Sequence, residues 1–599
     1  MVETQQGLGS KTPSGFSRTP FQPSDGVPLV FGSMDSVTNS TWWTRRAQTI
    51  AGNWNARNAK MKDWYNILLL EDKLKKPGLE SVVANDPRTS FNLATHILSR
   101  SFLRHGESLF PVSSEFDRPL ADLAVQMDAW WELENKRNMS RGRRAWLTEV
   151  SQHMLATGWY AVKVDPDETK AEIISPAQVF PEYDPDMGTI EVVHAFRLTK
   201  HQSLIKAQNN GWNVESFDPL NTGLMQRLKG WFNNPNDTVQ WYDHWIWTGD
   251  GAINAVLADG EFMRRPMAFT DLDKIPIFTG PAKGLPDRGE ILSSDWTKSA
   301  GESFVGVSEE LWHNMDRQLT YLQQLLRDTA QARWKVRGNV DVTKEELERR
   351  GGVFRMDENS DISMIDGIPI PVEISTQLHM MSGMLQRDTF PHSIFGDVTG
   401  QISTLQMSQI AGAAQHVLTP YSDALTTLLG EIDNMWLRAV NNMGEDPLGN
   451  LLPIGLPDNL ILKVSQYLSV PGDAVARANF SKMMNPDFTL SPQTLMELSW
   501  PEVDNPLEEI ERSKAYKALN SPPSQRIDLI IALEIRSNEE KIAGNERASE
   551  LYAQEATRLR QQGAGQDFQP PGPPGPTGPA GPPPSPNVAP QTISTGEFV

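Results

Sequence analysis

The chain has 599 residues, no cysteine, and 75 acidic against 55 basic side chains, a formal charge of −20. Without cysteine there is no disulfide framework, thiolate metal site, iron–sulfur cluster or cysteine nucleophile, and the acidic balance argues against a simple basic coat for nucleic acid. At roughly 150 residues per domain the length allows about four units, and no run approaches the roughly 18 apolar residues of a membrane helix.

Residues 1–40 hold Pro13, Pro20, Pro23 and Pro28 among several glycines, a composition that resists regular structure. The segment reads as a disordered arm or one that clasps a neighbour. It lacks the apolar core of a signal peptide, which predicts a soluble chain made in a reducing compartment. From Trp42 the spacing turns helical. Ala47, Ile50, Trp54, Met61, Tyr65 and Leu68 recur at helical intervals and predict one buried face. Phe91, Ala94, Leu98 and Phe102 repeat the pattern after Asn85-Asp86-Pro87. Leu147, Val150 and Met154 predict a further helix that ends near Gly158.

Beyond Gly158 the period changes to two. Tyr160, Val162 and Val164 alternate, Ile173-Ile174 follows, and Asp184 to Gly188 is a turn before a strand at Ile190 to Val193. A second β region is predicted over 238–262, turning at Thr248-Gly-Asp-Gly251. Helices followed by antiparallel hairpins give an α+β, helix-rich class.

A long helix is predicted after Gly306, with Leu311, Met315, Leu319, Leu322, Leu326 and Ala330 in one stripe. Another is expected from about Ile374 to Leu385. The segment Phe390 to Gly400 then reads as a loop. It precedes the strongest periodicity of the chain, from Met407 through Ile410, Ala414, Val417, Tyr421, Leu425, Leu428, Ile432 and Met435 to Ala439. At about 1.5 Å per residue this is a rod of roughly 50 Å. Pro420 in its middle is expected to kink it, because proline has no donor for the carbonyl four residues back. Residues 500–562 predict a charged helical block hinged at Pro522-Pro523. The tail carries four collagen-type triplets, starting at Gly572, Gly575, Gly578 and Gly581. They read as a solvated polyproline-like tail or, less simply, as a triple helix.

The chemistry that such a chain might carry is sparse. Gly7 to Thr12 fails as a phosphate loop, because no glycine directly precedes Lys11 and no strand precedes the glycines. There is no His-Glu-x-x-His and no Gly-x-Ser-x-Gly elbow. The ten histidines are scattered, and His379 and His392 read as packing or surface residues. The paired acids Glu345-Glu346 and Glu508-Glu509 read as solvated helix faces. Tryptophan is abundant at 18, with pairs at Trp42-Trp43 and Trp130-Trp131 and a run at Trp241, Trp245 and Trp247. Asp243 and Asp250 lie within that run in place of bases, so stacking on single-stranded nucleic acid is disfavoured and packing between subunits is expected. One basic patch, Lys136, Arg137, Arg141, Arg143 and Arg144, could contact phosphate or an acidic partner, or could be a solvated helix end. No catalytic role, metal or cofactor is expected.

The order of these elements resembles the portal proteins of tailed double-stranded DNA bacteriophages over residues 42–560. Asn92 to Leu98 resembles the start of such a protein. Ser175 to Pro181 with Asp186 to Ile190 resembles its β-rich wing, and Lys274 to Phe278 with Gly306-Val-Ser its clip and stem passage. The most specific match is Phe395-Gly-Asp-Val-Thr-Gly-Gln-Ile-Ser-Thr404 leading into the kinked rod, which is similar to a tunnel loop and the long helix behind it.

The resemblance implies an arm at 1–40, a wing at 41–270, a stem and clip region at 271–372, and the stem helix, tunnel loop and long helix at 373–445. A wing return and crown would follow at 446–562 and a Pro/Gly-rich tail at 563–599. It implies a ring, expected to be a dodecamer, at one capsid vertex of a virion assembled in the host cytoplasm. The ring would be the channel for packaging and ejecting double-stranded DNA. It would dock the large terminase subunit, later a head–tail adaptor, and the major capsid and scaffolding proteins, with no membrane involved. Phe395, Gly396, Asp397, Thr399, Gly400, Gln401 and Ser403 would line the channel. The bland alternative for 390–402 is a buried connector with Phe390, Ile394 and Phe395 as core. An internal ejection protein and a DNA-packaging enzyme are the rival functions. The acidic charge suits transit, since a channel poor in bases does not trap a polyanion.

Overall fold

The first helices already show how the apolar pattern is spent. Helix α1 (Ser40–Asn53) starts where the Asn39 side chain accepts from the Thr41 N–H, a cap that satisfies one of the free amides of the first turn. Helix α2 (Asn55–Leu68) begins with only Trp54 between it and the end of α1. A single helical face through Trp54 was expected; instead the helix breaks at Trp54. The break resets the phase, so Trp64 is buried beside Met61 and Ile67 while Tyr65 is exposed. The computed structural model describes residues 18–20, 39–76, 80–110, 116–165, 170–184, 186–212, 238–286, 298, 300–330, 333–338, 359, 361–365, 372–390, 404–446, 448–457, 459–468, 496, 500, 503, 506–519, 522–542 and 545–564. It is α+β, and it divides into two compact units, Met1–Asp504 and Asn505–Val599.

In the first unit, α3 (Asp86–Ser99) starts with a proline in its first turn, where the missing N–H costs nothing. The helical spacing extends to Phe102, but Phe102 opens strand β2 (Phe102–Ser108), which pairs antiparallel with β13 (Leu462–Tyr467). A partner strand far along the chain overrides the local period. Helices α4 (Asp117–Ser140) and α5 (Trp146–Thr157) follow. As expected, α5 ends at Gly158, whose φ of +72° suits glycine. A Cβ there would stand 2.4 Å from the Glu302 amide nitrogen.

Strand β3 (Trp159–Asp165) forms the centre of a three-stranded sheet with β4 (Lys170–Ile173) and β10 (Ile277–Pro281). A larger antiparallel sheet has the order β1-β9-β8-β7-β6-β5. Its members are β1 (Arg18–Pro20), β5 (Val179–Asp184), β6 (Gly188–Thr199), β7 (Thr238–Trp247), β8 (Ala252–Ala258) and β9 (Glu261–Phe269). The turns expected at Asp184 to Gly188 and Thr248 to Gly251 join β5 to β6 and β7 to β8. The arm was expected to resist regular structure, yet Arg18–Pro20 adds an edge strand to β9, a position where proline is tolerated. Helix α6 (Lys200–Asn209) leaves β6 through a capping box formed by Thr199 and Gln202.

Strand β7 is buried on both faces. Successive side chains alternate, so Trp241, Asp243 and Trp245 share one face and Tyr242, His244 and Ile246 the other. The second face packs with Trp43, Ala47 and Ile50 of α1. Of the tryptophans expected between subunits, Trp43, Trp130, Trp131, Trp241 and Trp245 are therefore core residues of one chain, while Trp42 and Trp247 are half-buried at its edge. Trp43, Trp54, Trp130, Trp146, Trp159, Trp241, Trp245 and Trp436 are all almost wholly buried. Each indole removes about 150–250 Å² from water, worth about 4–6 kcal/mol as an upper figure, and the nearest core takes it. Arg57 is buried with them: its guanidinium lies 4.4 Å from the Trp54 ring and 4.9 Å from that of Trp159. It donates to the carbonyls of Pro176 and Val179. Burial lowers its pKa to about 9.

The first unit continues with α7 (Glu309–Ala330), the ribbon β11 (Arg333–Arg337) and β12 (Asp361–Ile365), α8 (Val372–Asp388) and α9 (Thr404–Met443). The second unit holds α10 (Pro506–Leu519), α11 (Pro522–Ile542) and α12 (Glu546–Ala564). There α11 and α12 run antiparallel, with the Ser537 hydroxyl donating to the Ser549 carbonyl at 2.9 Å and Arg560 pairing with Glu534 at 2.6 Å.

Candidate functional site

The element singled out by the sequence is the passage from α8 through residues 391–403 into α9. Phe395, Gly396, Asp397, Thr399, Gly400, Gln401 and Ser403 lie outside the described residues, as does His392. What the structure describes is how the two flanking helices are held. Met381, Leu385 and Phe390 are buried, so the end of α8 is seated in the core. Phe390 packs against Phe304 with ring centroids 5.5 Å apart. The Thr389 hydroxyl donates to the Leu385 carbonyl at 2.8 Å, and the Ser308 hydroxyl donates to Asp388. Phe390 is thus a core residue, and Ile394, which the connector reading also places in the core, lies outside the described residues with Phe395.

Helix α9 runs for 40 residues with Pro420 inside it, about 60 Å at the usual rise. Proline removes the donor that the His416 carbonyl would receive. The assigned helix nevertheless continues through this point. Its core face is carried by Ala414, Leu418, Tyr421, Leu425, Leu428, Leu429, Ile432, Trp436 and Val440. Polar bonds fix it beside that face. The Tyr421 hydroxyl donates to the Glu302 carbonyl at 3.0 Å, and Asn434 donates to the Leu462 carbonyl at 2.9 Å while accepting from the Leu462 N–H at 2.8 Å.

One buried polar node ties α9 to two other elements. Asp433 Oδ2 lies 2.7 Å from His105 Nδ1 on β2, and Asp433 Oδ1 accepts from Trp131 Nε1 on α4 at 2.9 Å. Burial lowers the His105 pKa, but the charge and hydrogen bond of Asp433 outweigh it, and the net shift is upward.

Two further ionic nodes lie on opposite faces of β7. On the α1 face, His244 Nε2 is 2.6 Å from Glu191, which also accepts from Arg46 at 2.7 Å, and Arg46 pairs in addition with Glu182. Burial would raise the Glu191 carboxyl, but the hydrogen bonds from His244 and Arg46 hold it down to about 2. On the other face, Lys163 pairs with Asp243, which also accepts from Asn254 at 2.7 Å. The sequence showed Asp243 only as an acid among tryptophans; its basic partners come from β3 and β9, and no local signal could have placed them there.

The basic patch at 136–144 is largely used within the chain. Arg137 pairs with Glu134, Lys136 with Glu132, and Arg143 with both Glu149 and the Ile173 carbonyl. Among the described residues no group of three or more His, Asp or Glu could hold a metal ion, and no helix is long and apolar enough to cross a membrane.

No family model and no curated protein matches the chain. Among solved structures it is similar to the neck of a native GTA particle computed with C12 symmetry. That match is at 10% identity and a TM-score of 0.35, covering 69% of this chain and 89% of the other. It is also similar to the neck of an empty GTA particle computed with C6 symmetry, at 11% identity and a TM-score of 0.37, covering 69% and 90%.

Proposed function

We propose that the chain is a portal subunit. Copies of it form a ring, read as a dodecamer, at a capsid vertex, and DNA passes through the channel during packaging and ejection. The observation that carries this reading is the mounting of α9. A 40-residue helix with an internal proline is locked to an α+β body along the face from Ala414 to Val440. Directly before it, α8 ends with Phe390 buried in the core, and the sequence of 391–403 that links the two helices holds Gly396 and Gly400. A rigid rod with a short connector at its head suits a channel wall with a loop towards the axis.

The surface left for neighbours also supports a ring. Since most of the described tryptophans are spent inside the chain, the exposed apolar side chains matter instead. Tyr321 and Leu326 on α7 and Met380 and Met384 on α8 are exposed. In the second unit Ile527, Ile531 and Ile535 of α11 are exposed at intervals of four, which sets them on one helical face. Such stripes suit repeated contacts around an axis. The acidic charge favours sliding of the duplex.

In this reading the protein has no enzymatic role and needs no cofactor. The large terminase subunit, a head–tail adaptor, and the capsid and scaffolding proteins are its partners. Light scattering with negative-stain imaging of the purified chain tests it. Closed rings with a central channel are expected; a stable monomer at micromolar concentration across several salt conditions would refute the reading.

A further inference from the structure

Between the three-stranded sheet and the six-stranded sheet lies a cavity of about 200 Å³. Its floor is the second ionic node: Lys163 from β3, Asp243 from β7 and Arg264 from β9. Its wall is His194 on β6, and its lip is Lys206 and Asn210 on and just beyond α6, four residues apart and so on one side of the helix. Among the described residues five basic and three acidic side chains line it, a formal surplus of two positive charges. That surplus stands out in a chain of net charge −20.

The charges are unevenly matched. Asp243 is shared between Lys163, its ion-pair partner, and the field of Arg264. Lys206 is paired with no carboxylate among the described residues. Its ammonium sits 4.3 Å from the Phe196 ring centroid and 5.8 Å from that of Trp241. Aromatic faces attract a cation only modestly, by about 0.5–2 kcal/mol. His194 is buried beside Phe196, ring centroids 4.6 Å apart. Burial lowers the pKa of His194 to about 3 and that of Lys206 below the usual lysine range, with Lys163 repelling Lys206 further. A neutral imidazole still offers one N–H donor. The lining therefore brings Lys163, Lys206 and Arg264 around Asp243 at the floor, and its five basic side chains exceed its three acidic ones, Asp165, Glu172 and Asp243.

We propose that this cavity binds a small dianion of the phosphate type, either free phosphate or the phosphoryl group of a small monoester. The dianion would match the two surplus charges, accept from Lys206 and Arg264, and fit the volume with room for a short organic substituent. Its binding would tie α6 to both sheets. The site is independent of the ring reading, because it lies within one chain.

The test is thermal unfolding of the full chain in rising inorganic phosphate, in sodium chloride of matched ionic strength, and in glycerol 3-phosphate. A saturable rise of the midpoint with phosphate, which chloride does not reproduce, is expected. Lys206→Met keeps the stem on the Phe196 ring and removes the charge. It should weaken the apparent affinity about ten- to hundredfold, the range for one charged hydrogen bond. Lys463→Met, paired elsewhere with Glu107, should leave it unchanged. A tighter response to glycerol 3-phosphate would assign a monoester, and an equal one free phosphate. Equal shifts from phosphate and chloride overturn the proposal, and so does wild-type affinity in Lys206→Met. If that variant does not fold, phosphorus NMR of phosphate with the wild-type chain decides: line broadening competed by sulfate supports the site, and unbroadened lines refute it.

Discussion

His105 Nδ1 stands 2.7 Å from Asp433 Oδ2, both side chains buried, and the contact joins strand β2 to the long helix α9. The His105 pKa is raised in the fold, since the Asp433 charge and hydrogen bond outweigh burial. A group whose folded pKa exceeds its unfolded value stabilises fully below the unfolded value, near pH 6.5 for histidine. That contribution is lost as pH rises through the folded pKa. The unfolding midpoint of the wild type should therefore exceed that of His105→Phe most below about pH 6.5, and the gap should shrink on the alkaline side. A gap that widens with pH would contradict the assignment. Asp433→Ala also strips Trp131 of its acceptor and should cost about 3–5 kcal/mol, the range for breaking a buried pair, read from denaturant midpoints.

Gly158→Ala should destabilise the first unit. The residue has φ of +72°, and the new Cβ would meet the Glu302 backbone at 2.4 Å. Backbone strain alone costs about 1–3 kcal/mol, and the clash adds to it. Calorimetry should show a lower midpoint, whereas Gly142→Ala, at a similar φ with open space around it, should lose less.

Pro420→Ala restores a donor to the His416 carbonyl and adds a good helix former. A proline in a helix interior is about 3 kcal/mol worse than alanine, so the variant should unfold at higher denaturant. If Pro420 sets a bend that the channel uses, the more stable variant should assemble normally yet yield fewer full heads.

Gly396→Pro separates the two readings of the connector. A channel loop predicts intact rings and a lower packaged DNA length or fewer full heads. A buried core connector predicts failed assembly. Normal rings with normally filled heads would remove any transit role from residues 395–403.

Local order in this protein was legible wherever a single element carried its own period. The end of α5 at Gly158, the two hairpin turns, and the long helices α7 and α9 all follow from short-range spacing and turn residues. Those signals need no partner. What needed the tertiary structure was every question about what a side chain meets. The helical spacing through Phe102 yielded to a strand because β13 lies alongside to complete its hydrogen bonds. Most of the tryptophans read as subunit contacts, Trp43, Trp130, Trp131, Trp241 and Trp245, are core because elements distant in the chain pack around them. Asp243, a stray acid in the sequence, became the counter-charge of Lys163, and Asp433 that of His105. Period and turn chemistry are encoded within a few neighbouring residues, whereas burial and charge pairing depend on elements brought together from distant parts of the chain.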